Sequence, residues 1–155
     1  MIIAVNLSSE AATAALAARL AAIARPGDVI ALRGELGAGK TAFARAFIRA
    51  RNSADEEVPS PTFTLVQIYD AGGTPIWHFD LYRVTAADEI WELGIEEAFV
   101  DGISLIEWPD RLGPLLPRHR LDITLEFGDQ PESRRAVICG GADWCARLSE
   151  IAADA

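Results

Sequence analysis

The chain has 155 residues, half of them hydrophobic, and a formal net charge of −9 at pH 7. That length suits one ordinary domain with a real core, and the acidity argues against general backbone-driven binding to nucleic acid, which needs clustered positive charge. No apolar run is long enough to span a membrane and the first residues lack a basic region followed by an apolar one, so the expected location is the cytoplasm, with the chain mature as written and no membrane among its partners.

Ile2-Ile3-Ala4-Val5 predicts a first strand. Ser8-Ser9-Glu10 then opens an alanine-rich helix to about Ala24, with Ser8 or Ser9 as its N-cap and Leu16, Leu20 and Ile23 at helical spacing. The capped start could lie near a nucleotide base, although the cap alone explains Ser9. Pro26-Gly27 ends the helix and turns the chain into Asp28-Val29-Ile30-Ala31-Leu32, a short apolar, β-branched run that reads as a buried strand.

The stretch Gly34-Glu35-Leu36-Gly37-Ala38-Gly39-Lys40-Thr41 follows and satisfies G-x-x-x-x-G-K-[ST] at every required position. Thr41 to Ile48 has helical spacing, so the order is strand, glycine loop, helix. That order is what phosphate binding needs. The glycines let backbone N–H groups turn inward, and the helix N-terminus adds a favourable dipole. Gly34, Leu36, Gly37, Ala38, Gly39 and Ala42 are thus expected to surround phosphate, with Lys40 on the β- and γ-phosphates and the Thr41 hydroxyl on Mg²⁺. Lys40 is also the single lysine among the 14 basic residues. A guanine-reading Asn-Lys-x-Asp motif is therefore impossible, and ATP becomes the expected nucleotide.

The phosphate-loop helix is expected to run to about Ala50, followed by a polar, mobile loop over Arg51 to Glu57. In Val58-Pro59-Ser60-Pro61-Thr62-Phe63 two prolines stiffen the backbone around Ser60. Thr62 is either a hydroxyl that senses the γ-phosphate or Mg²⁺, as in nucleotide switches, or part of a rigid turn entering a strand. Thr64 to Tyr69 and Pro75 to Phe79 predict a hairpin about the turn Asp70-Ala71-Gly72-Gly73-Thr74. Asp80 ends that hairpin. It is either a carboxylate aimed at the metal's water shell, or a cap, or a salt-bridge partner of Arg83. His78 reads as a structural histidine, since no second histidine has metal-site spacing.

Thr85 with Asp88 and Glu89 predicts a capped helix start; the helix breaks at Gly94, and a second short piece runs from Ile95 to Val100. Ile103-Ser104-Leu105-Ile106-Glu107 is a strand ending in a carboxylate, the Walker B form, so Glu107 could hold Mg²⁺ or orient the attacking water. Trp108 could cover the nucleotide, bind a partner or simply pack. Leu121 to Phe127 and Arg134 to Cys139 predict a second hairpin, and Ala142 to Ile151 a closing helix. Arg134 or Arg135 could reach a nucleotide or a partner, or simply be solvated, as surface arginines more commonly are. Cys139 and Cys145 form no Cys-x-x-Cys pair and are expected to pack as small apolar residues. The expected fold is a single α/β domain over 1–155, a P-loop NTPase with a mixed, mainly parallel central sheet flanked by helices and antiparallel hairpin strands.

In order, the phosphate loop, Ser60-Pro61-Thr62-Phe63-Thr64-Leu65-Val66, His78-Phe79-Asp80-Leu81-Tyr82-Arg83, Glu92-Leu93-Gly94-Ile95-Glu96-Glu97 and Ile106-Glu107-Trp108-Pro109 resemble the TsaE (YjeE) family. The resemblance implies an ATPase, with ATP and Mg²⁺, that supports the TsaB–TsaD complex in tRNA threonylcarbamoyladenosine formation. ATP binding and hydrolysis would reset that complex between turnovers, and tRNA would be met only through it. Residue by residue, it implies Lys40 and Thr41 at phosphate and Mg²⁺, Thr62 in a switch-like segment, Asp80 and Glu107 near the metal, and Trp108 beside them. It also implies Ser9, Glu10 and Thr13 near the nucleotide. Glu35 in place of the usual aspartate and Ala42 in place of a common second threonine remove no donor that phosphate requires. A small-molecule kinase would need an acceptor pocket and usually an arginine-bearing lid, and no lid-like insertion is present. A non-hydrolysing module that uses ATP only to set its shape is the third reading.

Overall fold

A computed structural model describes residues 1–70 and 73–153. The strands are β1 (Ile2–Leu7), β2 (Val29–Arg33), β3 (Val66–Tyr69), β4 (Ile76–Asp80), β5 (Ile103–Glu107), β6 (Leu121–Phe127) and β7 (Arg134–Gly140). The helices are α1 (Glu10–Ile23), α2 (Lys40–Arg51), α3 (Ala87–Trp91), α4 (Ile95–Asp101) and α5 (Ala142–Ala153), with a 3₁₀ stretch over Pro109–Leu115.

The strands form one sheet in the order β1-β7-β6-β2-β5-β4-β3. Its centre is parallel, with β2 paired to β6 on one side and to β5 on the other, and β5 paired to β4. Both margins are antiparallel, through β1–β7, β6–β7 and β3–β4. The expected mixed sheet with hairpins at its edges is what forms. The parallel strands need helical crossovers, so β2, β4 and β5 are covered on both faces and are mostly apolar, with their charged residues at the carboxyl ends. In β2, Val29 to Leu32 are all buried. From β2 the chain goes out to β3 at one edge, returns through β4 and β5, and then fills β6 on the other side of β2. The crevice at the carboxyl end of β2 is therefore a topological switch point, where ligands of open α/β sheets bind.

Helices α1, α2 and α5 cover one face. Phe43, Ala44, Phe47 and Ile48 form the inward stripe of α2 and are fully buried with Leu16, Leu20, Trp144 and Leu148. Each such phenylalanine contributes about 1.5–3 kcal/mol as an upper estimate. A second cluster on the opposite face joins Trp77, Phe79, Ile90, Ile95 and Ile106 under α3 and α4. Alternation along β4 thus sends Trp77 and Phe79 to one side and Ile76 to the other.

Several local expectations change. The loop after α2 is tied down: Arg45 donates to the Val58 carbonyl and Arg49 to that of Glu56, while Asn52 donates to the Glu56 side chain. Residues four apart on α2 share a face, which is why the two arginines act together. Thr85 does not cap α3, whose N-cap is Ala86; its hydroxyl donates to the Glu89 side chain instead. Cys139 is exposed, because the pleat of β7 turns it outward between buried Ile138 and Gly140. Part of the predicted 70–74 turn, Ala71 and Gly72, lies outside the described residues.

Candidate functional site

The loop between β2 and α2 has the backbone its glycines allow. Gly34, Gly37 and Gly39 all have positive φ, at 144°, 81° and 106°. At Gly34 a Cβ would lie 2.6 Å from the Leu125 carbonyl oxygen, so the loop's close approach to β6 requires a residue without one. Gly39 occupies the N-cap position of α2 with no side-chain cap, leaving the first N–H groups of the helix open to an anion.

Lys40 is 5% exposed. Its Nζ donates to the carbonyls of Gly34 and Glu35, at 2.6 and 2.9 Å, and sits 4.2 Å from the centre of the Trp108 ring. These contacts are two ion–dipole hydrogen bonds and a cation–π contact, so the ammonium has no hydrogen-bonded counter-ion among the described residues. Burial pushes its pKa below the ordinary lysine range, against the opposing pull of the Glu107 and Asp80 carboxylates.

Asp80 and Glu107 end neighbouring parallel strands in register, and Glu107 is also in register with Leu32 of β2. Strand ends, not sequence proximity, bring these carboxylates to the loop. The Thr41 hydroxyl lies 2.9 and 3.1 Å from the two Glu107 oxygens. The Thr62 hydroxyl donates to Asp80 Oδ2 at 3.0 Å and lies 2.7 Å from the Ser60 hydroxyl. Asp80 Oδ1 accepts from the Tyr82 N–H, so Asp80 both caps the turn after β4 and holds the 58–64 segment. Arg83 is not its partner; the guanidinium stacks 4.4 Å from the Phe63 ring.

These groups line one cavity of about 370 Å³, with Leu36, Gly37, Gly39 and Ala42 from the loop side and Tyr82 and Trp108 opposite. Trp108 has φ +59°, a left-handed conformation that costs about 1–3 kcal/mol for a residue with a side chain. Tyr82 packs against it at a centroid distance of 4.9 Å. Arg33, at the end of β2, pairs with Asp110 just beyond Trp108 and with Asp122 of β6, which pins the segment that presents the ring.

A second cavity, about 270 Å³, adjoins the other side of the loop and is lined by Glu10, Thr13, Ala38, Glu132 and Arg134 among others. Ser9 is committed to capping α1, where its Oγ accepts from the Ala12 N–H. Arg134 faces the loop but spends its donors on carbonyls: Nε on Ala38 at 2.9 Å, Nη2 on Gly37 at 3.2 Å, and Nη1 on Pro131 and Ser133. Arg135 points away and pairs with Glu126 in solvent.

The donor set fits a magnesium nucleotide. Hard oxygen donors from Thr41, Glu107 and Asp80 face a loop of open N–H groups and a cation. Among the described residues, no group of three or more His, Cys, Asp or Glu side chains could hold a metal unaided. Magnesium, which binds through one or two carboxylates plus substrate phosphates, suits such a sparse set. Two members were not foreseen from the sequence: Tyr82, the packing partner of Trp108, and His78, which contacts Glu107. Period-2 alternation does place His78 on the same face of β4 as Asp80 and was the available signal.

The chain matches the model of the family described as "Threonylcarbamoyl adenosine biosynthesis protein TsaE" over residues 7–137. It is 40% identical over 133 residues to the tRNA threonylcarbamoyladenosine biosynthesis protein TsaE of Rickettsia conorii, covering 86% of this chain and 76% of that protein. It is 42% identical over 121 residues to the protein of the same name from Bacillus subtilis, covering 77% and 75%. The crystal structure of Bacillus subtilis YdiB superposes with a TM-score of 0.77 at 30% identity, over 99% of this chain and 95% of that one.

Proposed function

Because this chain belongs to the TsaE family, and so to tRNA threonylcarbamoyladenosine biosynthesis, we propose that it is a magnesium-dependent ATPase that supports turnover of the TsaB–TsaD threonylcarbamoyl-transferase complex. The observation that carries this reading is the convergence of Lys40, Thr41 and Glu107, from the loop, α2 and β5, on one cavity, with Thr41 hydrogen-bonded to Glu107.

In this reading the loop N–H groups hold the phosphates and Lys40 exchanges a carbonyl partner for phosphate oxygen. Magnesium, held by Thr41 and Glu107 with Asp80 towards its water shell, would neutralise charge on the phosphate oxygens. Glu107 or Asp80 orients the attacking water. The chemical demand is electrostatic stabilisation of charge spreading over the transferred group, which the preformed loop N–H groups and Lys40 supply. The bond from Thr62 to Asp80 makes the 58–64 segment responsive to what occupies the cavity. Glu10 and Thr13 border the nucleoside side of the loop, and Arg134 serves the phosphates through the loop's backbone. The complex meets tRNA; this acidic chain does not bind it directly.

The test mixes the protein with TsaB, TsaD, tRNA and threonylcarbamoyl-adenylate and counts modification cycles with and without ATP, alongside phosphate release. Multiple cycles only with ATP are expected, and Lys40→Ala is expected to abolish phosphate release. Wild-type turnover by Lys40→Ala, free of contaminating ATPase, overturns the reading. Tight ATP binding without phosphate release, even with the partners, favours a non-hydrolysing module instead.

A further inference from the structure

His78 lies on β4 beneath the site and is fully buried. Its Nε2 is 2.7 Å from Glu107 Oε2. Its other ring nitrogen, Nδ1, is also buried and has no hydrogen-bond partner among the described residues. A buried nitrogen left unpaired is a net loss for folding, and an apolar residue of similar size would avoid it. Packing alone therefore does not account for a histidine here. What distinguishes it from such a residue is the bond made by Nε2.

That bond completes a clamp. Glu107 is 2% exposed and has hydrogen-bond partners on two sides, Thr41 in front and His78 behind. Held only by the single Thr41 hydroxyl, which reaches both oxygens, the carboxylate could still pivot about its last side-chain torsion, which is broad and weakly restrained. With the second donor in place, its plane is set by two elements, α2 and β4. A carboxylate accepts, so the contact places an N–H on Nε2.

We propose that His78 is a positioning residue: by donating from Nε2 it fixes the orientation in which Glu107, together with the Thr41 hydroxyl, receives magnesium. The proposal rests on the nucleotide-binding reading above and adds the residue that sets the geometry of its acidic group. Partners of this kind behind a ligating carboxylate change metal affinity by about 10–100-fold when removed. Binding of the phosphates themselves relies on the loop and Lys40, which His78 does not touch.

The experiment titrates a non-hydrolysable ATP analogue by calorimetry, in chelator and then at increasing magnesium concentration. It uses the wild type and His78→Leu, His78→Asn and His78→Gln. Leucine removes the donor, asparagine is too short to reach Glu107, and glutamine carries an N–H at about the Nε2 position. The magnesium concentration for half-maximal effect is expected to rise by about 10–100-fold in the leucine and asparagine variants. Glutamine should recover most of that loss. Affinity in chelator is expected to stay within about 2-fold of wild type, since no phosphate contact is removed. Wild-type magnesium dependence in whichever of the leucine and asparagine variants folds overturns the proposal while leaving nucleotide binding intact. Failure of the wild type to bind the analogue, or to respond to magnesium, overturns the site itself and the proposal with it.

Discussion

Arg134→Ala removes four hydrogen bonds from one guanidinium, two of them to the phosphate loop. Those two hold the Ala38 and Gly37 carbonyls towards β7; on the far side of the same peptides lie the Gly39 N–H and the Ala38 N–H, the latter donating to the Glu35 carbonyl, so both peptides are fixed in the loop. The partly buried bond from Nε to Ala38 is a charge-assisted contact of about 1.5–3 kcal/mol. The exposed bond to Gly37 is discounted for solvent to about 0.2–1 kcal/mol. The Nη1 bonds stay within the turn of the β6–β7 hairpin and do not order the loop. About 2 kcal/mol of loop order is therefore lost, or roughly 30-fold in affinity for whatever the loop holds. The assay compares ATP, ADP and inorganic tripolyphosphate by calorimetry, and amide hydrogen exchange of Gly37–Thr41 in the nucleotide-free protein. All three ligands should weaken by a similar factor, and the loop amides should exchange faster by about the same factor. Unchanged tripolyphosphate affinity with weakened ATP would refute the reasoning and place Arg134 on the nucleoside instead.

Gly34→Ala puts a Cβ 2.6 Å from the Leu125 carbonyl at a φ of +144°. Overpacking against backbone and the strained conformation together should cost at least about 2 kcal/mol, lowering the thermal midpoint by about 4–8 °C. Away from the site, Arg147 pairs with Asp28 at 2.7 and 3.1 Å, with side chains only 8% and 11% exposed, and stacks on Trp144. Arg147→Ala leaves Asp28 buried without its cation and should cost about 3–5 kcal/mol by urea denaturation; Arg147→Met with Asp28→Asn should recover a substantial part. The lowered pKa of Lys40 has a definite sign in stability. Between that lowered value and 10.5 the unfolded chain binds more protons than the folded one, so this group makes stability rise with pH across that interval. Subtracting the Lys40→Met profile from that of the nucleotide-free wild type at alkaline pH should show this rise; a flat or falling difference would contradict it.

Features carried by adjacent residues could be read directly. The glycine loop is eight consecutive residues that end in the lysine and threonine, with glycines that admit positive φ. The Ser9 cap, the break at Gly94 and both hairpins were likewise legible, because short-range sterics and local hydrogen bonds decide them. The apolar and alternating strands told which segments enter the sheet. They did not tell which strands are neighbours.

The sequence by itself determined that a strand, a glycine loop and a helix follow one another, and that two later strands end in carboxylates. Tertiary structure alone decided that β5 lies beside β2, so that Glu107 meets Thr41 across 66 positions of sequence. It also decided that His78 backs Glu107, and that Arg134 reaches Ala38 from 96 positions away. Backbone conformation answers to neighbours a few residues distant. Contact between side chains on different strands depends on sheet order and register, and those come from burying the whole apolar surface at once.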